Sequence, residues 1–140
     1  MAYSGYLIKL LGGNGTETLP FKYMGLSSYK CTPDQRLESK AARASTGILH
    51  RTTVEHKATK IEFSTPPITN IELSTLNAML QRHFTDSLQR KIVIEYYDME
   101  IDGYRTATCY MPDVDYTIDR IDNANNIVYY QAVRYAFIEY

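Results

Sequence analysis

The chain has 140 residues, a formal net charge of −1 at pH 7, thirteen Tyr, no Trp and two Cys. That length reads as one domain spanning 1–140, and the near-neutral charge argues against a general nucleic-acid binder, which is usually basic. Cys31 and Cys109 are too few and too far apart for a disulfide framework or a zinc site. No apolar run approaches the ~20 residues of a membrane span, and the N-terminus lacks a signal pattern, so the expectation is a soluble protein, cytoplasmic when made.

Residues 3–11 carry enough aromatic and branched side chains for a first strand, ended by the turn Gly12-Gly13-Asn14-Gly15. This turn lacks the Lys-Ser/Thr of a phosphate-binding loop, and no helix signal follows it, so it reads as a hairpin turn. Residues 21–29 form a weaker strand pattern. From 30 to 46 the apolar pattern stops. A connection of that length in a small domain is functional or disordered, and it reads either as an assembly loop ordered against something else or as a solvated loop. Residues 47–63 are rich in Thr and branched side chains with no Pro or internal Gly. They read as one long strand, half in the domain and half offered to a neighbour.

After Pro66-Pro67 comes the strongest local signal. Thr69 and Glu72 have capping-box spacing, with Ile68 and Leu73 placed as a hydrophobic staple. Leu73, Leu76, Leu80 and Phe84 then recur at helical spacing, predicting an amphipathic helix over about 69–84 that packs on a sheet. Strands follow at 91–97 and 104–111, joined by an acidic turn closed by Asp102-Gly103. A further strand is read at 114–121, and a last at 127–140, apolar on both faces and so central in a sheet or between layers. The fold class is mainly β with one helix: an antiparallel β-sandwich or strongly curved sheet flanked by the helix.

The chemistry-bearing residues form no catalytic pattern. His50 and His56, on one strand face, lie ~20 Å apart if the strand is straight, too far to share a metal ion, and His83 is placed on the helix. Ordinary surface histidines are the plainer reading. The run from Asp98 through Glu100 and Asp102 to Gly103 resembles the start of a calcium loop, but its twelfth position is Cys109 and its flanks are strands. An acidic hairpin tip explains it better. Cys109 has no activating neighbour in sequence and reads as core. No enzyme, cofactor or metal is expected.

Charge placement is more informative. Residues 30–60 hold seven basic against three acidic residues, +4, and residues 91–140 hold four basic against nine acidic, −5. Either the halves neutralise each other within one subunit, or a basic segment meets the acidic surface of the next copy. In the second case Arg36, Lys40, Arg43, Arg51 and Lys57 would face Asp98, Glu100, Asp102, Asp113 and Asp115 of a neighbour.

The run Ser45-Thr46-Gly47-Ile48-Leu49-His50-Arg51, its continuation Lys57-Ala58-Thr59-Lys60-Ile61-Glu62-Phe63, the helix, and the ending Ala136-Phe137-Ile138-Glu139-Tyr140 together resemble small tail-module proteins of phages and prophages of Gram-positive bacteria. The resemblance implies a tail-tube fold, a β-sandwich with one helix at its flank, of the tube, distal-tail or tail-completion type. It implies hexameric rings joined through a long loop and hairpin extensions, contact with other tail proteins, a place in the virion after assembly in the host cytoplasm, and passage of DNA without sequence-specific binding. The near-neutral charge departs from a strongly acidic DNA conduit. The resemblance therefore points to a non-enzymatic structural protein of a tail. The alternatives are a monomeric β-sandwich module binding a protein or nucleic acid, and an enzyme or metal-dependent protein of another type.

Overall fold

The computed structural model describes residues 2–13, 15–35, 38–43, 47, 49–53 and 58–140, with the backbone alone given for 38–43 and 49–53. In chain order the elements are β1 (Ile8–Leu11), β2 (Glu17–Thr18), β3 (Lys30–Gln35), β4 (Glu38–Arg43), β5 (Leu49–Thr53), β6 (Ala58–Ser64) and β7 (Ile68–Thr69). Helix α1 (Asn70–Gln81) is followed by β8 (Phe84–Asp86), β9 (Lys91–Asp98), β10 (Gly103–Tyr110), β11 (Ile118–Asp122), β12 (Ile127–Tyr130) and β13 (Arg134–Glu139).

The main sheet is antiparallel with the order β2-β1-β9-β10-β13-β6-β3, and β8 pairs with β9 beside β1. Alternation fixes its faces: Ile92, Ile94 and Tyr96 of β9 and Ile61 and Phe63 of β6 are buried, while the residues between them are half-exposed. The sheet curls so that its β3 end comes back onto β9. Tyr29, just before β3, donates its hydroxyl to the carbonyl of Tyr97 (2.7 Å), and Tyr96 Oη lies 3.4 Å from Thr59 Oγ1 of β6. A smaller sheet, β11-β12-β7, lies against α1, and β4 and β5 pair as a two-stranded sheet of their own. The result is a mainly β, sandwich-like fold with one flanking α-helix.

Helix α1 starts where the cap chemistry places it. Thr69 Oγ1 accepts from the backbone N–H of Glu72 at 3.4 Å. Glu72 does not reach back to the backbone; its carboxylate accepts from the Thr69 hydroxyl at 3.1 Å. Leu73, Leu76, Met79 and Leu80 are buried in one cluster with Ile68, Tyr135 and Phe137. Asn70 accepts from Val128 N (3.1 Å) and Asn77 accepts from Tyr135 Oη (2.7 Å), so the helix is tied to both sheets.

Several stretches depart from the sequence expectation. The helix stops at Gln81: Arg82 N still bonds the carbonyl of Ala78 in the helical pattern, but His83 N bonds that of Leu80, an i to i−3 contact that tightens the last turn. Phe84 therefore lies outside the helix, half-buried at the start of β8. Residues 21–29 form two 3-10 turns, Phe21–Tyr23 and Leu26–Ser28, entered through Pro20 at φ −65°. The expected loop at 30–46 holds β3 and β4. The expected long strand at 47–63 is described as β5 and β6, with 54–57 outside the described residues. The last strand is likewise two strands: β12 belongs to the smaller sheet and β13 lies between β10 and β6 in the main one. The crossing is pinned at Val133, whose N–H bonds Thr65 Oγ1 (3.0 Å) and whose carbonyl accepts from Thr65 N (2.8 Å).

Candidate assembly surfaces

The described charges picked out in the sequence fall on three parts of the chain. The basic group centres on the β4–β5 hairpin, which connects β3 to β6. Its register sets Ala41 opposite Arg51, Lys40 opposite Thr52 and Arg43 opposite Leu49. Arg36 and Lys57 lie outside the described residues.

The acidic group divides. At the β9–β10 hairpin, Asp98 is not a surface residue at all: it is 1% exposed, accepts from Glu100 N at 2.9 Å, and lies 3.4 Å from Arg105 Nη1. Asp102 accepts from the Tyr97 hydroxyl at 2.6 Å and sits at φ +47°, a left-handed conformation that Asp tolerates in turns. Glu100 is exposed, between the exposed Met99 and Ile101. Asp113 and Asp115 are exposed on the connection into β11. Of the alternating carboxylates that resembled a calcium loop, those of Asp98 and Asp102 are thus engaged by the turn, Tyr97 and Arg105, and that of Glu100 stands exposed. Among the described residues no three His, Cys, Asp or Glu side chains are grouped to hold a metal.

Among the described residues, one ion pair crosses between the two charge groups with the signs reversed from the sequence reading. The basic member, Arg105, comes from the acidic half, and its partner, Asp34, comes from the basic segment. Their two hydrogen bonds measure 2.9 and 3.2 Å. Asp34 gave no signal because the charged residues around it, Lys30, Arg36 and Lys40 against Glu38, are mostly cationic.

His83, placed by sequence on the helix surface, is buried behind the β1–β2 turn. Its Nδ1 is 2.9 Å from the carbonyl of Gly12 and its Nε2 is 2.8 Å from Glu17 Oε1. Glu17 also receives Arg82, whose hydrogen bond, followed by that of His83, holds its carboxyl down at about 2. His50 lies on β5, and His56 is outside the described residues. Cys109 is fully buried and Cys31 half-buried, and burial pushes both thiols up to about 12, which opposes thiolate chemistry.

Four of the thirteen tyrosines, Tyr3, Tyr6, Tyr97 and Tyr104, gather on the outer face of β9 and β10, ahead of β1. Tyr6 stacks on Tyr104 with ring centres 4.4 Å apart, Tyr97 meets both Tyr104 and Tyr3 edge-on, and Lys9 lies over Tyr6 at 4.5 Å. The hydroxyl of Tyr6 donates to Glu95, the main reason its pKa is raised to about 12. This arrangement gives a half-exposed sheet face both apolar area and polar tips.

The fold has a solved counterpart. Over 99% of this chain and 95% of the other, it superposes on a chain from the tail of an empty GTA (gene transfer agent) particle with C6 symmetry, at a TM-score of 0.53 and 12% identity. No curated protein matches the sequence. A family model matches residues 1–140 from end to end, and the chain belongs to that family, DUF6711, a family of unknown function.

Proposed function

We propose that this chain is a non-enzymatic structural protein of a bacteriophage or prophage tail, assembling into a homo-oligomeric, hexameric ring of the tail tube or distal tail. The observation that carries the proposal is the likeness, along nearly the whole chain, to a protein of a six-fold tail particle. The attribution to Gram-positive hosts rests on the sequence resemblance alone. The β4–β5 hairpin supplies the reach between copies, and the mixed apolar and tyrosine surface of the main sheet supplies area for contact. In this reading the partners are further copies of the chain and other tail proteins, the place of action is the virion, and DNA passes through the ring without being read.

Light scattering on the eluting protein, with electron microscopy of negatively stained fractions, tests it. Six-fold rings are the expected result. A monomer at every concentration would overturn the ring and favour a monomeric interaction module. Within the assembled form, amides of 38–43 and 49–53 should exchange more slowly than in the isolated subunit, and protease should cut there later.

A further inference from the structure

Strand β11 is an open edge. In the order β11-β12-β7 only one of its sides is paired among the described strands, four of its five residues are exposed, and Ile118 and Ile121 are 52% and 57% exposed, with Tyr116 just ahead of them at 44%. Such an edge attracts any other strand unless something discriminates. Here the discriminating feature is charge. Among the described residues no hydrogen bond or ion pair engages the side chains of Asp113, Asp115 or Asp119, and all three are exposed. The neighbouring charges are occupied: Asp122 is bonded by Asn125, and Arg120 lies over the ring of Tyr129 at 4.0 Å. The register shift between Ile118 and Arg120 adds a local irregularity. Two β11 edges brought together would therefore repel, whereas a basic strand would be drawn in.

The chain carries one such strand pair. β4 and β5 bond only to each other among the described strands, so each has an unpaired outer edge, and together they hold Lys40, Arg43 and Arg51 against Glu38. The other edges are poorer acceptors: β3 contains Pro33, and β2 and β7 have two residues each.

We propose that the β11 edge of one copy receives the β4–β5 hairpin of a second copy by strand addition, with Asp113, Asp115 and Asp119 selecting the basic hairpin. This rests on the ring reading and names its acceptor surface. Asp98 and Asp102 drop out as acceptors because the subunit already uses them.

The test compares the full chain with Asp115→Lys/Asp119→Lys, with Arg43→Glu/Arg51→Glu, and with all four changes combined. The readouts are assembly against concentration, thermal melting, and hydrogen exchange at Ile118–Asp122. Each double variant is expected to melt like the parent and to need at least ~tenfold more protein for half-assembly, and the combined variant to recover. The β11 amides should slow on assembly of the parent. If the β11 double variant assembles like the parent while the hairpin variant does not, the hairpin docks elsewhere; this inference falls and the ring stands. If both doubles assemble normally, or the β11 amides exchange equally in both forms, the strand addition is wrong. A parent chain that stays monomeric removes the ring and the docking together.

Discussion

Arg105 of β10 grips Asp34 at the far edge of the main sheet with both terminal nitrogens, at 2.9 and 3.2 Å, and the same Nη1 sits 3.4 Å from the buried Asp98. One guanidinium thus holds the curled sheet shut and compensates a carboxylate with almost no access to water. Arg105→Ala should cost ~1–3 kcal/mol, less than for a fully buried pair because Arg105 and Asp34 are each more than a third exposed. Asp34→Asn, which keeps a side chain that tolerates the φ of +47° there, should cost less than Arg105→Ala, since Asp98 would keep its cation. Urea unfolding of the two variants checks the order. Equal losses would mean that Asp98 does not depend on Arg105.

The helix is held by its inward stripe. Leu76 is completely buried and Ile71, on the same helix, is 65% exposed. Leu76→Ala should cost ~2–5 kcal/mol, and Ile71→Ala stay within ~0.5 kcal/mol. A melt unmoved by Leu76→Ala would contradict the packing of α1.

Gly13 occupies a position that no side chain suits. Its φ is +60°, and a Cβ there would stand 2.4 Å from the carbonyl oxygen of Arg82. The glycine turn lets the β1–β2 hairpin press against the end of the helix, where Gly12 meets His83. Gly13→Ala should destabilise by ~1–3 kcal/mol through backbone strain and displacement of that helix end. Gly15→Ala keeps the unfavourable φ of +121° but meets no atom within 4 Å, and should cost less.

Acid should loosen the same corner. Glu17 titrates at about 2 in the folded chain against an ordinary 4.5, because Arg82 and His83 hold its anion. A folded pKa below the unfolded one contributes stability that is complete above about pH 4.5 and fades as the pH falls toward 2. Glu17→Gln should lower stability at pH 7 and flatten the loss between pH 5 and 2. Denaturant midpoints across that range decide it; parallel curves for parent and variant would remove Glu17 from the account.

What could be read in the sequence follows from which interactions leave a local mark. Thr69 and Glu72 mark the helix start because a cap is made within four residues. The strands at 91–97 and 104–111 could be read because burial on one face imposes a period of two, and Asp102-Gly103 marks the turn between them. The split of the last strand could not be read: Val133, Tyr135 and Phe137 continue the alternation of Ile127 and Tyr129, and no Pro or Gly marks the change of sheet. β3 was obscured by Pro33, and β4 by its run of charge and alanine, which carries no apolar period. Residues 21–29 have strand-like composition, yet their turns are fixed by distant bonds such as Gly25 N to the carbonyl of Ser64 at 2.7 Å. In the acidic group, sequence could not separate Asp98 and Asp102, occupied by Arg105 and Tyr97, from the unengaged Asp113 and Asp115.

The position of β13 also bears on how the chain acquires its fold. It lies between β6 and β10, both of which precede it, and it pairs Phe137 with Ile61 and Ile138 with Tyr110. During synthesis the facing edges of β6 and β10 must wait for a strand made after both, and β1 must wait for β9, more than 80 residues downstream, to set Ile8 against Tyr96. Distant pairings of this kind are slow to close, and they leave exposed edges that invite association between unfinished chains. The main sheet should therefore close late, with the local β9–β10 hairpin forming early and insertion of β13 completing the sheet.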